Sequence, residues 1–245
     1  KNQYGQIWEK YCGFLDISLS QFMDIQNRLL LEQIELYSNC ELGKRIMQGS
    51  KPKTVEEFRK SVPLTTYEDY ADILLPKVES ALPAPPVVWI QTTWEGAKNP
   101  IKLAPYTEGM VRSQKNSSIT IIMLATSHAK GHFTLRGGDK FLYGMAPLPY
   151  LTGMVPYLIS SEMSVKFLPS IQEAETMRFS ERNKMGFKMG MQQGIDLFFG
   201  LSSIIVQVGD SFSSGNSSVD GINIFRNSPK MNYRMLKAWI RRDRK

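Results

Sequence analysis

The chain has 245 residues, 30 Lys+Arg against 23 Asp+Glu, and a formal net charge of +7. Apolar residues make up 42% and charged residues 22%, a globular composition that excludes a disordered, collagen-like or coiled-coil chain. Two Cys and two His are too few for a disulfide framework or for a structural zinc site, so a reducing, cytoplasmic setting is expected. The start, Lys1-Asn2-Gln3-Tyr4, carries no apolar signal core, and no run of about 18 apolar residues occurs, so neither secretion nor a membrane span is expected.

The first 50 residues read as helical. Tyr4, Ile7, Trp8, Tyr11, Phe14 and Leu15 repeat at helical spacing. A second helix is expected after Ser18 or Ser20, through Phe22, Ile25, Leu29 and Leu36, stopping near Gly43 or Gly49. Thr54-Val55-Glu56-Glu57 is a capping box for a short helix that ends before Pro63. Thr66-Tyr67-Glu68-Asp69 caps another, through Tyr70, Ile73 and Leu74 to Pro76. Pro83, Pro85 and Pro86 form a stiff connector.

The grammar then changes. Val87 to Ile90 reads as a buried strand, Thr92 to Pro100 as a turn, and Ile101 to Ala104 as a second strand. Thr107 to about Ser127 reads as a helix. Phe133-Thr134-Leu135 and Phe141-Leu142-Tyr143 flank Gly137-Gly138-Asp139, the pattern of a hairpin. Met145 to Pro156 is rich in proline and glycine. Ser164 to Leu168 reads as a strand, Glu173 to Gln193 as a helix weakened by Gly186 and Gly190, and Ile195 to Phe199 as a strand. A helix from Ser202 and a Ser/Gly/Asn loop over 211–221 follow. Strands alternating with helices predict an α/β fold, a mixed sheet flanked by helices. The expected divisions are a helical lead-in over 1–52, an α/β subdomain over 53–226 and a basic amphipathic helix over 227–245.

That last helix holds most of the charge. Lys230, Arg234, Lys237, Arg241, Arg242, Arg244 and Lys245 against Asp243 give +6 of the +7. Lys230, Arg234, Lys237 and Arg241 share one helical face, as on an ordinary solvated helix. A nucleic-acid-binding domain would carry them more widely, so no nucleic-acid partner is expected.

The stretch Thr92 to Lys102 is the richest in chemistry. Hydroxyls on Thr92 and Thr93, backbone at Gly96 and the amines of Lys98 and Lys102 sit between two strands, and such a turn can cradle a phosphate. It is not a Walker loop. His128 and His132 lack a nearby thiol or carboxylate and read as polar loop residues rather than a metal pair. Glu68 and Asp69 read as capping acids, Asp139 as a turn acid and Asp196 as solvent-facing. No catalytic residue stands out.

Phe58 to Tyr70 resembles the segment before the nucleotide loop of auxin-conjugating acyl-acid amido synthetases and phenylacetate–CoA ligases, which are acyl-adenylate-forming enzymes. Lys102-Leu103-Ala104-Pro105-Tyr106-Thr107 is similar to the end of that loop motif, and Pro147 to Gly153 to the acyl-pocket motif. Tyr150 stands where many adenylating enzymes place a histidine. The order continues through Ser164 to Ser203, so the resemblance covers roughly residues 50–210. It implies the N-terminal portion of such an enzyme, because the later Tyr-x-x-Thr-Glu motif, ribose-binding aspartate and lid lysine are not found before residue 245. It further implies ATP and Mg²⁺, a carboxylic acid substrate, and an amine or CoA as acceptor. Thr92, Thr93, Gly96, Lys98 and Lys102 would hold phosphate, and Leu148, Tyr150 and Gly153 would shape the acyl pocket. The family's loop is usually a Ser-Gly-Thr run, whereas Trp94, Glu95 and Lys98 interrupt it here. The rival reading is therefore a non-catalytic binding protein on the same fold.

Overall fold

The computed structural model of the chain describes residues 2–93 and 101–213. They fall into two compact units, one reaching to Phe133 and including Pro149–Leu151, the other built from Thr134–Leu148 and the chain from Thr152. Of the turn expected over 92–100, Thr92 and Thr93 extend the first strand instead and residues 94–100 lie outside the described residues, as do most of the loop expected over 211–221 and the basic helix expected over 227–245.

The first unit opens with α1 (Asn2–Cys12) and α2 (Leu19–Ser38). Ser18 starts α2 through a reciprocal cap: its Oγ accepts from Gln21 N at 3.2 Å, and Gln21 Oε1 accepts from Ser18 N at 2.9 Å. The helix does not run on to Gly43. It ends at Ser38, Cys40 turns extended, and α3 (Glu41–Ile46) restarts with Cys40 Sγ accepting from Gly43 N. Gly43 is not a stop signal but a close-approach residue. A Cβ there would lie 1.9 Å from Tyr37 O, so only glycine lets α3 fold back on the end of α2. Thr54 caps α4 (Val55–Ser61), accepting from Glu57 N at 3.1 Å. Thr66 N donates to Asp69 Oδ2 at 2.6 Å across a short 3-10 turn, and α5 (Ala71–Leu74) follows. Cys40, Leu42, Ile73, Leu74, Ala81 and Leu82 form a buried cluster, with Tyr37, Tyr67 and Trp89 packed on it.

β1 (Val88–Thr93) and β2 (Ile101–Tyr106) then pair antiparallel, Val88 opposite Tyr106 and Thr93 opposite Ile101. Thr107 caps α6 (Glu108–Ala125), whose Ile119, Ile122 and Met123 are buried. Thr120 Oγ1 donates to Tyr11 O at 2.6 Å, tying α6 to α1. β3 (Ser127–Ala129) and β4 (His132–Phe133) make a small hairpin around Gly131, which takes a φ of +72°.

The second unit holds β5 (Lys140–Gly144), α7 (Leu151–Ser160), β6 (Lys166–Leu168), α8 (Ile171–Glu175), α9 (Phe179–Gln193), β7 (Leu197–Gly200) and α10 (Ser202–Ser213). Its sheet is parallel in the order β6-β5-β7. The hairpin expected around Gly137-Gly138-Asp139 is therefore not formed. Phe133 pairs back to Ser127, while β5 takes parallel neighbours on both edges. The burial of Phe141, Leu142 and Tyr143 gives the reason, since a central parallel strand is covered on both faces and needs a continuous apolar run. Asp196 is likewise not a free surface acid. Its Oδ2 accepts from Lys140 N at 3.1 Å while its N–H donates to Lys140 O at 3.0 Å, which sets the register of β7 on β5. The proline- and glycine-rich stretch before Pro156 becomes helix α7, with Pro156 inside it. The span Glu173 to Gln193 is not one helix: α8 ends at Glu175 and α9 restarts at Phe179.

Candidate functional site

Within the first unit, the β1–β2 pair carries the predicted phosphate-binding residues. Thr92 stands opposite Lys102 and Thr93 opposite Ile101, immediately flanking the 94–100 turn. Residues directly opposite on antiparallel strands project to the same face, about 5 Å apart at Cβ. Thr92 and Lys102 thus share one side of the loop's base. Gly96 and Lys98 lie outside the described residues.

Lys102 Nζ sits 5.4 Å from the centroid of the Tyr67 ring. The Tyr67 hydroxyl accepts from Leu103 N at 2.8 Å and donates to Leu103 O at 3.1 Å. Tyr67 therefore pins the outer edge of β2 beside the lysine, and burial pushes its hydroxyl pKa up. The segment before the loop owes its place in the pattern to this latch. Sequence reasoning missed Tyr67 as a site residue, although its place inside the Phe58 to Tyr70 motif was the available signal.

A separate group of residues lines a cavity of about 230 Å³ within the second unit. Leu148 and Gly153 line it, with Tyr143, Tyr157, Phe167 and Arg182 among its other walls. Gly153 is required there. A Cβ on it would fall 1.9 Å from Leu148 N and 2.1 Å from Pro147 C, so glycine lets α7 start against the 147–148 backbone. Tyr150 does not join them. It bridges to Gln91 of β1, whose N–H donates to Pro149 O at 2.8 Å, in the first unit.

The cavity's polar groups are few. The Tyr143 hydroxyl donates to Thr152 O, and burial pushes its pKa far up. The Tyr157 hydroxyl donates to Glu175 Oε1, and its pKa is pushed up to about 12 by burial and then by that carboxylate. Arg182 is 8% exposed. Its Nη2 donates to Met145 O and its guanidinium lies over the Phe179 ring at 5.4 Å, while burial pulls its pKa down. Its Nε is buried without a partner. Such a chamber suits a small, mostly apolar molecule with an anionic group. Sequence reasoning did not single out Arg182. In Phe179-Ser180-Glu181-Arg182-Asn183-Lys184 it looks like one more polar residue of a surface helix.

The weaker candidates have structural roles. The rings of His128 and His132 meet across the β3–β4 hairpin with centroids 5.7 Å apart. Asp69 caps the turn at Thr66, and Asp139 Oδ2 accepts from Arg136 N at 2.9 Å. Among the described residues no group of three or more His, Cys, Asp or Glu is placed to hold a metal ion, and no helix is long and apolar enough to cross a membrane.

The family model for the GH3 family N-terminal domain matches residues 13–143, more than half of the chain. No curated protein and no solved structure matches it. The matched stretch takes in the Tyr67 latch, both strands of the loop and central strand β5 up to Tyr143. These are the elements that carry the likeness of the Phe58 to Tyr70 and Lys102 to Thr107 segments, and the mixed α/β architecture is that of an adenylate-forming N-terminal domain. The chain belongs to the GH3 family, the auxin-conjugating acyl-acid amido synthetases, an adenylate-forming group whose N-terminal domain it carries.

Proposed function

We propose that the chain supplies the substrate-binding, N-terminal part of an enzyme that activates a carboxylic acid as its acyl-adenylate and passes the acyl group to an amine or to CoA. The observation that carries this reading is the register of β1 on β2, with Thr92 opposite Lys102 at the base of the loop. In the first half-reaction a carboxylate oxygen attacks the α-phosphorus of ATP. The bond from that phosphorus to the bridging oxygen breaks, and pyrophosphate leaves with the electron pair. In the second, the amine or thiol attacks the acyl carbon and AMP departs. Negative charge gathers on the leaving pyrophosphate, so fixed donors and cations aimed at it lower the barrier. Thr92 and Thr93 would donate hydroxyls to the β- and γ-phosphates. The Gly96 backbone would join them in holding those phosphates, while Lys102, held beside the Tyr67 ring, and Lys98 would supply positive charge. Tyr150, bridged to Gln91 one residue before Thr92, serves the nucleotide side in this reading, while Leu148 and Gly153 shape the acid's pocket.

The family's adenylation draws on ATP with Mg²⁺. The donors present fit an ion carried in by the nucleotide: Mg²⁺ keeps its waters and binds mostly to substrate phosphates, so it needs no protein cage. When bound it would neutralise phosphate charge. The test is ATP–pyrophosphate exchange by the full-length gene product over a panel of carboxylic acids, with calorimetry for ATP. Exchange stimulated by at least one acid is expected. No exchange with any acid, together with no ATP binding, overturns the reading.

A further inference from the structure

Among the described residues, Arg182 is a buried cation whose Nε has no partner. It is a cation 8% exposed, and removing a charge from water is costly unless an opposite charge and hydrogen bonds compensate. Of its five N–H donors, one reaches Met145 O, and its Nε is buried and unbonded. Among the described residues no carboxylate pairs with it. The nearest acid of the same cavity, Glu175, is bonded to the Tyr157 hydroxyl instead. The guanidinium lies over Phe179, and it lines a mostly apolar chamber whose walls include Leu148, Pro156, Phe167, Tyr143 and the Glu175 carboxylate already engaged by Tyr157. A guanidinium fork in an apolar chamber is the arrangement that recognises a planar oxyanion in two parallel hydrogen bonds.

We infer that this cavity takes a compact dicarboxylic acid, one carboxylate seated on Arg182 and the other left free to react. The inference rests on the reading of the cavity as the acid pocket and narrows its substrate class. Charge decides between the two carboxylates. An arginine paired with the reacting group would lose its carboxylate, because one oxygen becomes the bridge of a carboxylic–phosphoric anhydride and the other an uncharged carbonyl. A second carboxylate keeps its full charge from binding to product, so its pairing with Arg182 persists throughout. Size sets the rest. A cavity of roughly 150 Å³ holds benzene, so about 230 Å³ admits one ring with two small substituents, or an aliphatic chain of like volume.

The test uses the full-length gene product with succinate, glutarate, phthalate and isophthalate, each beside its monomethyl ester. Binding is read by calorimetry and turnover by ATP–pyrophosphate exchange. At least one diacid is expected to bind 10-fold or more tightly than its ester, and Arg182→Gln to cut that preference at least 10-fold. Arg182→Lys, which keeps the charge but not the fork, should restore part of it. Thermal unfolding of both variants separates a folding defect from a lost contact. The inference is overturned if none of the four diacids binds, or if Arg182→Gln weakens diacid and ester alike while Arg182→Lys restores nothing. Diacid binding that depends on Arg182 without any exchange would keep the anion site and remove the adenylation reading. Exchange with the monoesters alone would do the reverse.

Discussion

Single side chains already separate structural from functional work at the loop. Tyr67 does both, since its hydroxyl closes on Leu103 and its ring lies under Lys102. Tyr67→Phe keeps the ring but strands the Leu103 N–H and C=O. A lost hydrogen bond with a partner left half-buried costs about 1–2 kcal/mol, so urea unfolding should show a loss of that size with the slope unchanged. An unshifted midpoint would mean that water replaces the hydroxyl at no cost. Asp72 offers a pH test. Its carboxyl is held below the usual carboxylate range, first by the hydrogen bond from Arg45 at 2.5 Å. A folded pKa below the unfolded one gives stability that is present above the unfolded pKa, about 4, and is lost as pH falls through the folded value. Asp72→Asn should therefore unfold at lower urea than the parent at pH 7, and the gap should close as pH falls through the folded pKa. The gap should be small, because both side chains are open to solvent. A gap that widened in acid would contradict the assigned pairing.

At the level of elements, α9 lies close on the sheet because it carries glycine where it does. A Cβ on Gly186 would fall 2.5 Å from Leu142 Cδ1 and 2.8 Å from Leu168 O. On an exposed helix Gly→Ala gains about 1 kcal/mol, but overpacking a fitted contact costs about 1–3 kcal/mol. Gly186→Ala should thus lower stability by up to about 2 kcal/mol, read as a fall in the urea midpoint. A rise would show that α9 yields. From sequence alone Gly186 and Gly190 count only as helix weakeners, because the opposing Leu142, Leu168 and Ile195 are distant in the chain or in a separate element. The same limit explains the hairpin read at 137–139. Gly137-Gly138-Asp139 does turn, with Gly138 at a φ of +83°, but the turn's chemistry does not name the strand's partners. What local chemistry decides was legible: the helix start after Ser18, the cap at Thr54, the helix beginning near Thr107, and two strands near 87–90 and 101–104. Leu148 and Gly153, expected in an acyl pocket from the family pattern, do line a cavity, whereas that cavity's charged wall is not visible in the sequence. Burial of Arg182 is a tertiary fact, and its polar neighbours in sequence give no hint of it.

For the molecule as a whole, the proposed work divides between the units. Charge does not divide it, because +6 of the +7 lies in 227–245 and the remainder is close to neutral. The chemistry does. Hydroxyls and a lysine flank the loop in the first unit, and an apolar cavity with a single buried cation belongs to the second. Each set answers to a different ligand, so substitutions in one should be silent toward the ligand of the other. Lys102→Ala removes a charge-assisted contact to phosphate worth about 1.5–3 kcal/mol. At about 1.4 kcal/mol per decade, that raises KM for ATP roughly 10- to 100-fold. Leu148→Trp instead fills the cavity that Leu148 lines, and should raise KM for the acid by a comparable factor. Steady-state exchange kinetics on the full-length gene product, with ATP and acid varied in turn, read both effects. The expected pattern is a crossed one, each variant moving one KM and leaving the other within about twofold, a change worth under ~0.5 kcal/mol. If Lys102→Ala moved the acid's KM and not that of ATP, the loop would not be the phosphate site. If Leu148→Trp left the acid's KM unchanged, the acid would bind elsewhere, and the cavity would lose its place in the reaction.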